Sequence, residues 1–206
     1  MRLAAIVAFG VAALIANSLV VPARAEPIRI VAFGGSSTYG KGVDRQDTYP
    51  AQLERALRAK GHDATIANAG VNGDTTRDAL ARFDKAVPAG TKIVILEFGI
   101  NDKFANVNPD TIRANLDTLL TRLQECQIQT LFIGYTGSSG LETLAEKHNA
   151  KFMRFGFPGA NDPKYRVSGD PQMQTAGVVH FNRQGYEMMV ERMTPLVEEL
   201  IARVAH

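Results

Sequence analysis

Residues Ile93 to Phe98 form an almost unbroken apolar run that empties into Gly99-Ile100-Asn101-Asp102. A short run with apolar residues at both parities is the signature of a strand covered on both faces. That is the setting of a central strand in a parallel sheet. A parallel sheet needs crossovers, and the chain supplies them on both sides of this run. Ile28 to Phe33 reads as a first strand. Tyr49-Pro50 opens a helix with Leu53, Ala56 and Leu57 as its buried stripe and Gly61 just past its end. Ala64 to Ala67 is a second strand, followed by the loop Asn68-Ala69-Gly70-Val71-Asn72-Gly73-Asp74-Thr75-Thr76. Asp74 is placed to cap a helix carrying Leu80 and Phe83 that ends before Pro88.

Asn108-Pro109 then starts a helix with Ile112, Leu116, Leu119, Leu120 and Leu123 on one face. Leu131 to Tyr135 is a fourth strand, Leu141 to Asn149 a short helix and Phe152 to Phe155 a fifth strand. Gly156 to Gly177 is a long loop rich in Gly, Pro, Asp and Asn, a type that in compact domains is often functional. Asn182 caps the last helix, whose stripe runs from Tyr186 through Met189, Val190, Met193, Val197 and Leu200 to Val204, with a kink expected at Pro195. Five βα units imply a parallel sheet with helices on both faces and right-handed crossovers. No internal repeat or interdomain linker interrupts the pattern.

Met1 to Ala25 differs from the rest. A short positive start, a mostly apolar stretch from Leu3 to Val21 and Ala23-Arg24-Ala25 read as a secretory signal peptide with an A-x-A cleavage site, leaving residues 26–206 as one domain. The alternative, an uncleaved membrane anchor, is disfavoured by Gly10, Asn17 and Ser18 within the stretch. Cleavage removes Arg2 and Arg24 and no acid, so Lys and Arg fall from 23 to match the 21 Asp and Glu. A neutral chain with no basic run offers nothing to attract nucleic acid or an anionic membrane surface. The sole cysteine, Cys126, cannot form an intrachain disulfide, and its place beside Leu123 reads as a small core position. His62, His148, His180 and His206 show no zinc-ligand spacing, so nothing predicts zinc.

The first strand ends in Gly34-Gly35-Ser36-Ser37-Thr38-Tyr39-Gly40, a tight turn rich in hydroxyls. In an open α/β sheet the turn past a strand's carboxyl end is where ligands and chemistry sit. Ser36, on what reads as an exposed turn, is the candidate nucleophile. Gly35 to Lys41 also spells G-x-x-x-x-G-K, but Gly42 stands where a phosphate-binding loop needs Ser or Thr to hold magnesium. Taken alone, the turn could equally hold serines that only bond the backbone. The partners decide between these. A serine hydroxyl needs a base and donors for the developing oxyanion. His180, where the long loop meets the last helix, can fold back over the sheet edge. His62 and His148 lie at helix ends, where histidine serves the dipole or solvent, and His206 is terminal.

The serine turn, Gly73 within its loop, Gly99-Ile100-Asn101-Asp102 and His180 before Asn182 together resemble the four blocks of SGNH (GDSL-type) hydrolases. The order and spacing are similar to the bacterial arylesterase, thioesterase and lysophospholipase branch, from about Ile28 to the C-terminus. The resemblance implies Ser36 as nucleophile and His180 as base. It implies an oxyanion hole made of the Ser36 N–H, the Gly73 N–H and the Asn101 carboxamide. Asp74 and Asp102 read as structural. Two departures stand out. The family's usual Gly-Asp-Ser has Gly35 in the middle here, and its usual Asp-x-x-His has Gly177 three residues before His180. The carboxylate that would orient the imidazole is therefore missing at that position, and the resemblance does not place Asp170 of the same loop on His180.

The expectation is a secreted, periplasmic three-layer α/β/α hydrolase with a five-stranded parallel, flavodoxin-like sheet. It would cleave carboxylic esters or thioesters through an acyl-serine, with a Ser-His dyad and no metal or cofactor. Acyl esters, thioesters and acetylated sugars all remain open as substrates, and the short connection Thr136 to Gly140 suggests an open cleft. Neither nucleic acid nor, after cleavage, stable membrane insertion is expected. The alternative is a catalytically impaired binding protein on the same scaffold, for a lipid or an acylated glycan of the cell envelope.

Overall fold

The computed structural model describes residues 26–135, 140–168 and 180–204. The expected signal segment, the Thr136 to Ser139 connection, Asp170 and Gly177 lie outside the described residues. Strands β1 (Ile28–Gly34), β2 (Ala64–Gly70), β3 (Ile93–Glu97), β4 (Gln129–Gly134) and β5 (Lys151–Arg154) form one sheet in the order β2-β1-β3-β4-β5. Every pairing is parallel. The apolar run at 93–97 is the middle strand, and all five of its residues are buried.

Successive side chains of β3 point to opposite faces, and each face has its own helices. On one face Ile30, Ile93, Ile95, Leu131 and Ile133 meet Leu53 and Leu57 of α2 (Tyr49–Ala59). The same layer includes Met189, Met193, Val197 and Leu200 of the last helix, α7 (Arg183–Val204). On the other face Val31, Phe33, Val94, Leu96 and Phe132 pack against α3 (Thr76–Ala86), α5 (Pro109–Glu125) and α6 (Leu141–Lys147). The architecture is thus the expected three-layer α/β/α. Two short helices follow β1 and β3: α1 (Ser36–Tyr39) and α4 (Ile100–Phe104). From β1 the chain first winds outward to β2 and then returns to lay β3 on the other flank. The crevice between the carboxyl ends of β1 and β3 is therefore the topological switch point.

Three local readings are corrected. β2 runs on through Gly70, because Asn68, Ala69 and Gly70 keep register with Ala32, Phe33 and Gly34. Thr75, not Asp74, caps α3. Its side chain accepts from the Asp78 N–H while the Asp78 carboxylate accepts from the Thr75 N–H, a reciprocal capping box. Cys126 is exposed rather than in the core. It is the C-cap of α5, and Gln127 turns away at φ 56°, so Cys126 leaves the stripe that Leu123 still belongs to. Asn108 with Pro109 does start α5, its side chain accepting from the Asp110 N–H.

Gly70 is where the sheet and α1 meet. A Cβ there would lie 2.5 Å from the Thr38 carbonyl carbon and 2.7 Å from the Tyr39 Cα, both backbone atoms that cannot swing aside. Gly70→Ala should therefore destabilise the fold by about 1–3 kcal/mol, the usual cost of overpacking. A lowered urea midpoint with unchanged m-value is the expected result.

Candidate active site

Four segments bring chemistry to the switch point. β1 ends at Gly34, and the chain turns at Gly35 directly into α1, so Ser36 is its first helical residue. Contrary to the expected exposed turn, Ser36 is only 4% accessible. The cause is the cover above it. His180 enters just before α7, itself fully buried, with its Nε2 2.9 Å from the Ser36 Oγ across 144 residues of sequence. The Val167 N–H donates to the His180 carbonyl, and Asn182 donates to the carbonyls of Lys164 and Arg166. The Asn182 side chain also accepts from the Gly185 N–H, as an N-cap does. These bonds fasten the backbone from His180 into the start of α7.

Asn101 sits in the first turn of α4, after the left-handed Gly99 (φ 107°). Its Nδ2 donates to the Asp74 carbonyl at 2.8 Å and lies over Gly35, where an added Cβ would come within 3.0 Å of it. Gly73, at φ 88°, precedes Asp74 in the same loop and faces open space. The structure therefore brings Ser36 and His180 into hydrogen-bond contact and gathers Asn101 and the Gly73 loop beside the same turn.

Asp102 and Asp74 are held away from that centre. Asp102 is buried and accepts from the Thr76 N–H at 2.9 Å and the Thr76 hydroxyl at 2.5 Å, tying α4 to α3. Asp74 pairs with Arg82, whose guanidinium also donates to the carbonyls of Ala69 and Gly34 and lies 4.7 Å from the Phe33 ring. His148 is buried between Asp117 and Gln124, and His62 bonds Glu198, so both are structural. Among the described residues no group of His, Cys, Asp and Glu could hold a metal ion.

Beneath the turn lies a polar cluster that periodicity alone passes over. Glu97, the last residue of β3, is fully buried. Its Oε2 accepts from the Thr38 hydroxyl at 2.8 Å, the Gly35 N–H at 3.2 Å and the Thr38 N–H at 3.3 Å. The Tyr135 hydroxyl donates to its Oε1. Burial pushes the Glu97 carboxyl above its ordinary value, while the bonds from Tyr135, Thr38 and Gly35 pull the other way. Burial and the Glu97 charge push the Tyr135 phenol well up, so Tyr135 keeps its proton and donates it to the bond. Tyr49 bonds the Thr38 hydroxyl at 3.0 Å, and Tyr186 donates to the Ser37 carbonyl at 2.9 Å. The available sequence signal was one charged residue inside an otherwise apolar central strand.

A parallel α/β/α sheet with a hydroxyl and an imidazole at its switch point narrows the class of protein, and comparison with known proteins gives the family. The chain belongs to the GDSL-like Lipase/Acylhydrolase family, whose model matches residues 32–188. A solved SGNH-hydrolase family esterase, AlinE4, superposes at a TM-score of 0.65 with 33% identity, covering 85% of this chain and 97% of that one. An arylesterase of Vibrio mimicus is 29% identical over 47% of this chain and 49% of its own length. Esterase TesA of Pseudomonas aeruginosa is 29% identical over 54% and 55%. The chain thus spans about half the length of these last two relatives.

Removing the Asp102 carboxylate would leave the buried amide and hydroxyl of Thr76 without their acceptor. Asp102→Ala should cost about 2–3 kcal/mol in urea unfolding, the loss expected when hydrogen bonds to a buried charge are broken. An unchanged midpoint would show that Thr76 finds another acceptor.

Proposed function

We propose that this protein is a secreted carboxylic ester hydrolase in which Ser36 and His180 perform acyl transfer. The observation that carries the reading is the 2.9 Å contact between the Ser36 Oγ and the His180 Nε2. That distance lets Nε2 take the hydroxyl proton as the oxygen attacks the ester carbonyl carbon. The carbonyl π electrons move onto oxygen, giving a tetrahedral oxyanion. When it collapses, the bond to the leaving oxygen breaks and the imidazolium returns its proton to that alkoxide. Water then repeats the sequence on acyl-Ser36, with His180 again as base, and releases the carboxylic acid.

The oxyanion needs donors that are already in place. The Ser36 N–H stands at the start of α1, where no residue one turn back can accept it. The Asn101 carboxamide is held by the Asp74 carbonyl and spans the gap to Gly35. Gly73, with no Cβ and a left-handed backbone, leaves its own amide approachable. These three are the donors we assign. The name of the AlinE4 esterase, which superposes on 85% of this chain, supports an ester as the substrate.

For location, the reading rests on the N-terminal segment and its A-x-A. A match to a Bacillus subtilis protein described as a lipoprotein, 38% identical over 35% of this chain, agrees with an envelope setting. Among the described residues no helix is long and apolar enough to cross a membrane.

Ser36→Ala should abolish hydrolysis of p-nitrophenyl butyrate while leaving the far-UV spectrum unchanged. Ser37 is the neighbouring rival, but its hydroxyl faces Tyr135. Activity lost in Ser37→Ala and kept in Ser36→Ala would refute the assignment. Asn101→Ala should lower kcat by about 10²–10³-fold with little change in KM, the size expected for one oxyanion donor. A change in KM alone would make Asn101 a substrate-binding residue.

A further inference from the structure

The short helix α1 has a problem that its own sequence does not solve. Its N-cap is Gly35, which has no side chain to accept from the first-turn amides. Those amides are buried, since Ser36, Ser37 and Thr38 are all 4% accessible or less. An amide buried without an acceptor is costly, and a turn left free to shift would carry Ser36 with it.

We propose that Glu97 is a positioning residue for ester hydrolysis, its side chain acting from β3 as the missing N-cap of α1 and so holding Ser36 in line with His180 and Asn101. The proposal rests on the reading of Ser36 as nucleophile. Thr38 is the third residue of α1, and its N–H is one that an N-cap side chain would normally satisfy. Here that N–H goes to the Glu97 Oε2, together with the Thr38 hydroxyl and the Gly35 N–H, the last shared with the Glu97 main-chain carbonyl. One oxygen therefore gathers donors from both sides of Ser36. The preceding strand leaves space for it. A Cβ on Gly34 would lie 2.7 Å from that oxygen and 2.8 Å from the Glu97 carbonyl.

The neighbours complete the cradle. Tyr135 holds Oε1, Tyr49 holds the Thr38 hydroxyl, and Tyr186 holds the Ser37 carbonyl. Residues 35, 37 and 38 are thereby tied inward, while the Ser36 hydroxyl is left to His180. Glu97 is fully buried with both oxygens engaged, so it acts through the turn and not on the substrate.

The test compares Glu97→Gln, Glu97→Leu and Thr38→Val with the wild type. Two rates are measured on p-nitrophenyl butyrate turnover and on phosphonylation of Ser36 by a p-nitrophenyl phosphonate, each normalised to folded protein. Glutamine keeps an oxygen for the three donors, and kcat should stay within about threefold of wild type. Leucine removes the acceptor. It should lower kcat by about 10²-fold, the scale of an ångström-sized misplacement, with KM within about twofold and phosphonylation slowed in proportion. Thr38→Val keeps the shape of residue 38 and deletes the closest of the three donors to Oε2. It should lower kcat about tenfold at constant KM, and it decides the matter if the leucine variant does not fold.

Wild-type kcat and labelling in Thr38→Val and in any folded Glu97→Leu would overturn the proposal. So would an equal loss in Glu97→Gln and Glu97→Leu, or an effect on KM alone. A wild type that neither hydrolyses the ester nor takes the phosphonate would overturn the reading of Ser36, and this proposal with it.

Discussion

A strand that turns straight into a buried helix leaves amides pointing where no water can satisfy them. At the carboxyl end of β1 that need falls on Thr38, whose amide is met by a carboxylate reaching across from β3, while the Gly35 N–H is shared between that carboxylate and the Glu97 main-chain carbonyl. The rest of the site follows from this junction. β1 and β3 must be neighbours for Glu97 to reach, which the 2-1-3-4-5 order ensures. Gly34 must lack a side chain to leave the carboxylate its space, and Gly70 must lack one so that α1 can lie on β2. With the turn fixed from below, its remaining free hydroxyl faces the imidazole above.

The same logic separates the hydroxyls of the turn by surroundings and not by chemistry. Thr38 is spent on Glu97 and Tyr49, and Ser37 lies against Tyr135. Ser36 alone meets a nitrogen able to accept a proton. Three phenols surround the cluster, and burial with the Glu97 charge pushes each of them up, so they remain donors. A buried carboxylate bonded by donors from the turn after β1, from α1 and from just past β4 is a rigid support, since every member loses a partner if one moves.

Much of this was legible in the residues. The apolar parity of β3, the helical stripes and Asn108-Pro109 carry the fold because they reflect burial, which is periodic. Ser36, Gly73 and Asn101 were nameable because each interrupts that periodicity just past the end of a strand, and His180 because it stands where the long loop meets the last helix. Their meeting was not, since 144 residues separate Ser36 from His180. Glu97 escaped for the opposite reason: one acid does little to the hydropathy of Ile-Val-Ile-Leu-Glu-Phe, and its partners lie far off in sequence, in the turn after β1 and just past β4. Cys126 and Asp74 were misread through one-residue errors at helix ends, where the stripe no longer decides which way a side chain points.

We propose above all that His180 activates Ser36 and no other residue. The direct measurement is peptide mapping by mass spectrometry after brief exposure to a p-nitrophenyl phosphonate, on the wild type and His180→Ala. A single adduct on Ser36 in the wild type, greatly slowed in His180→Ala, is the predicted result. An adduct on Ser37, or labelling of Ser36 at the same rate without the imidazole, would contradict it.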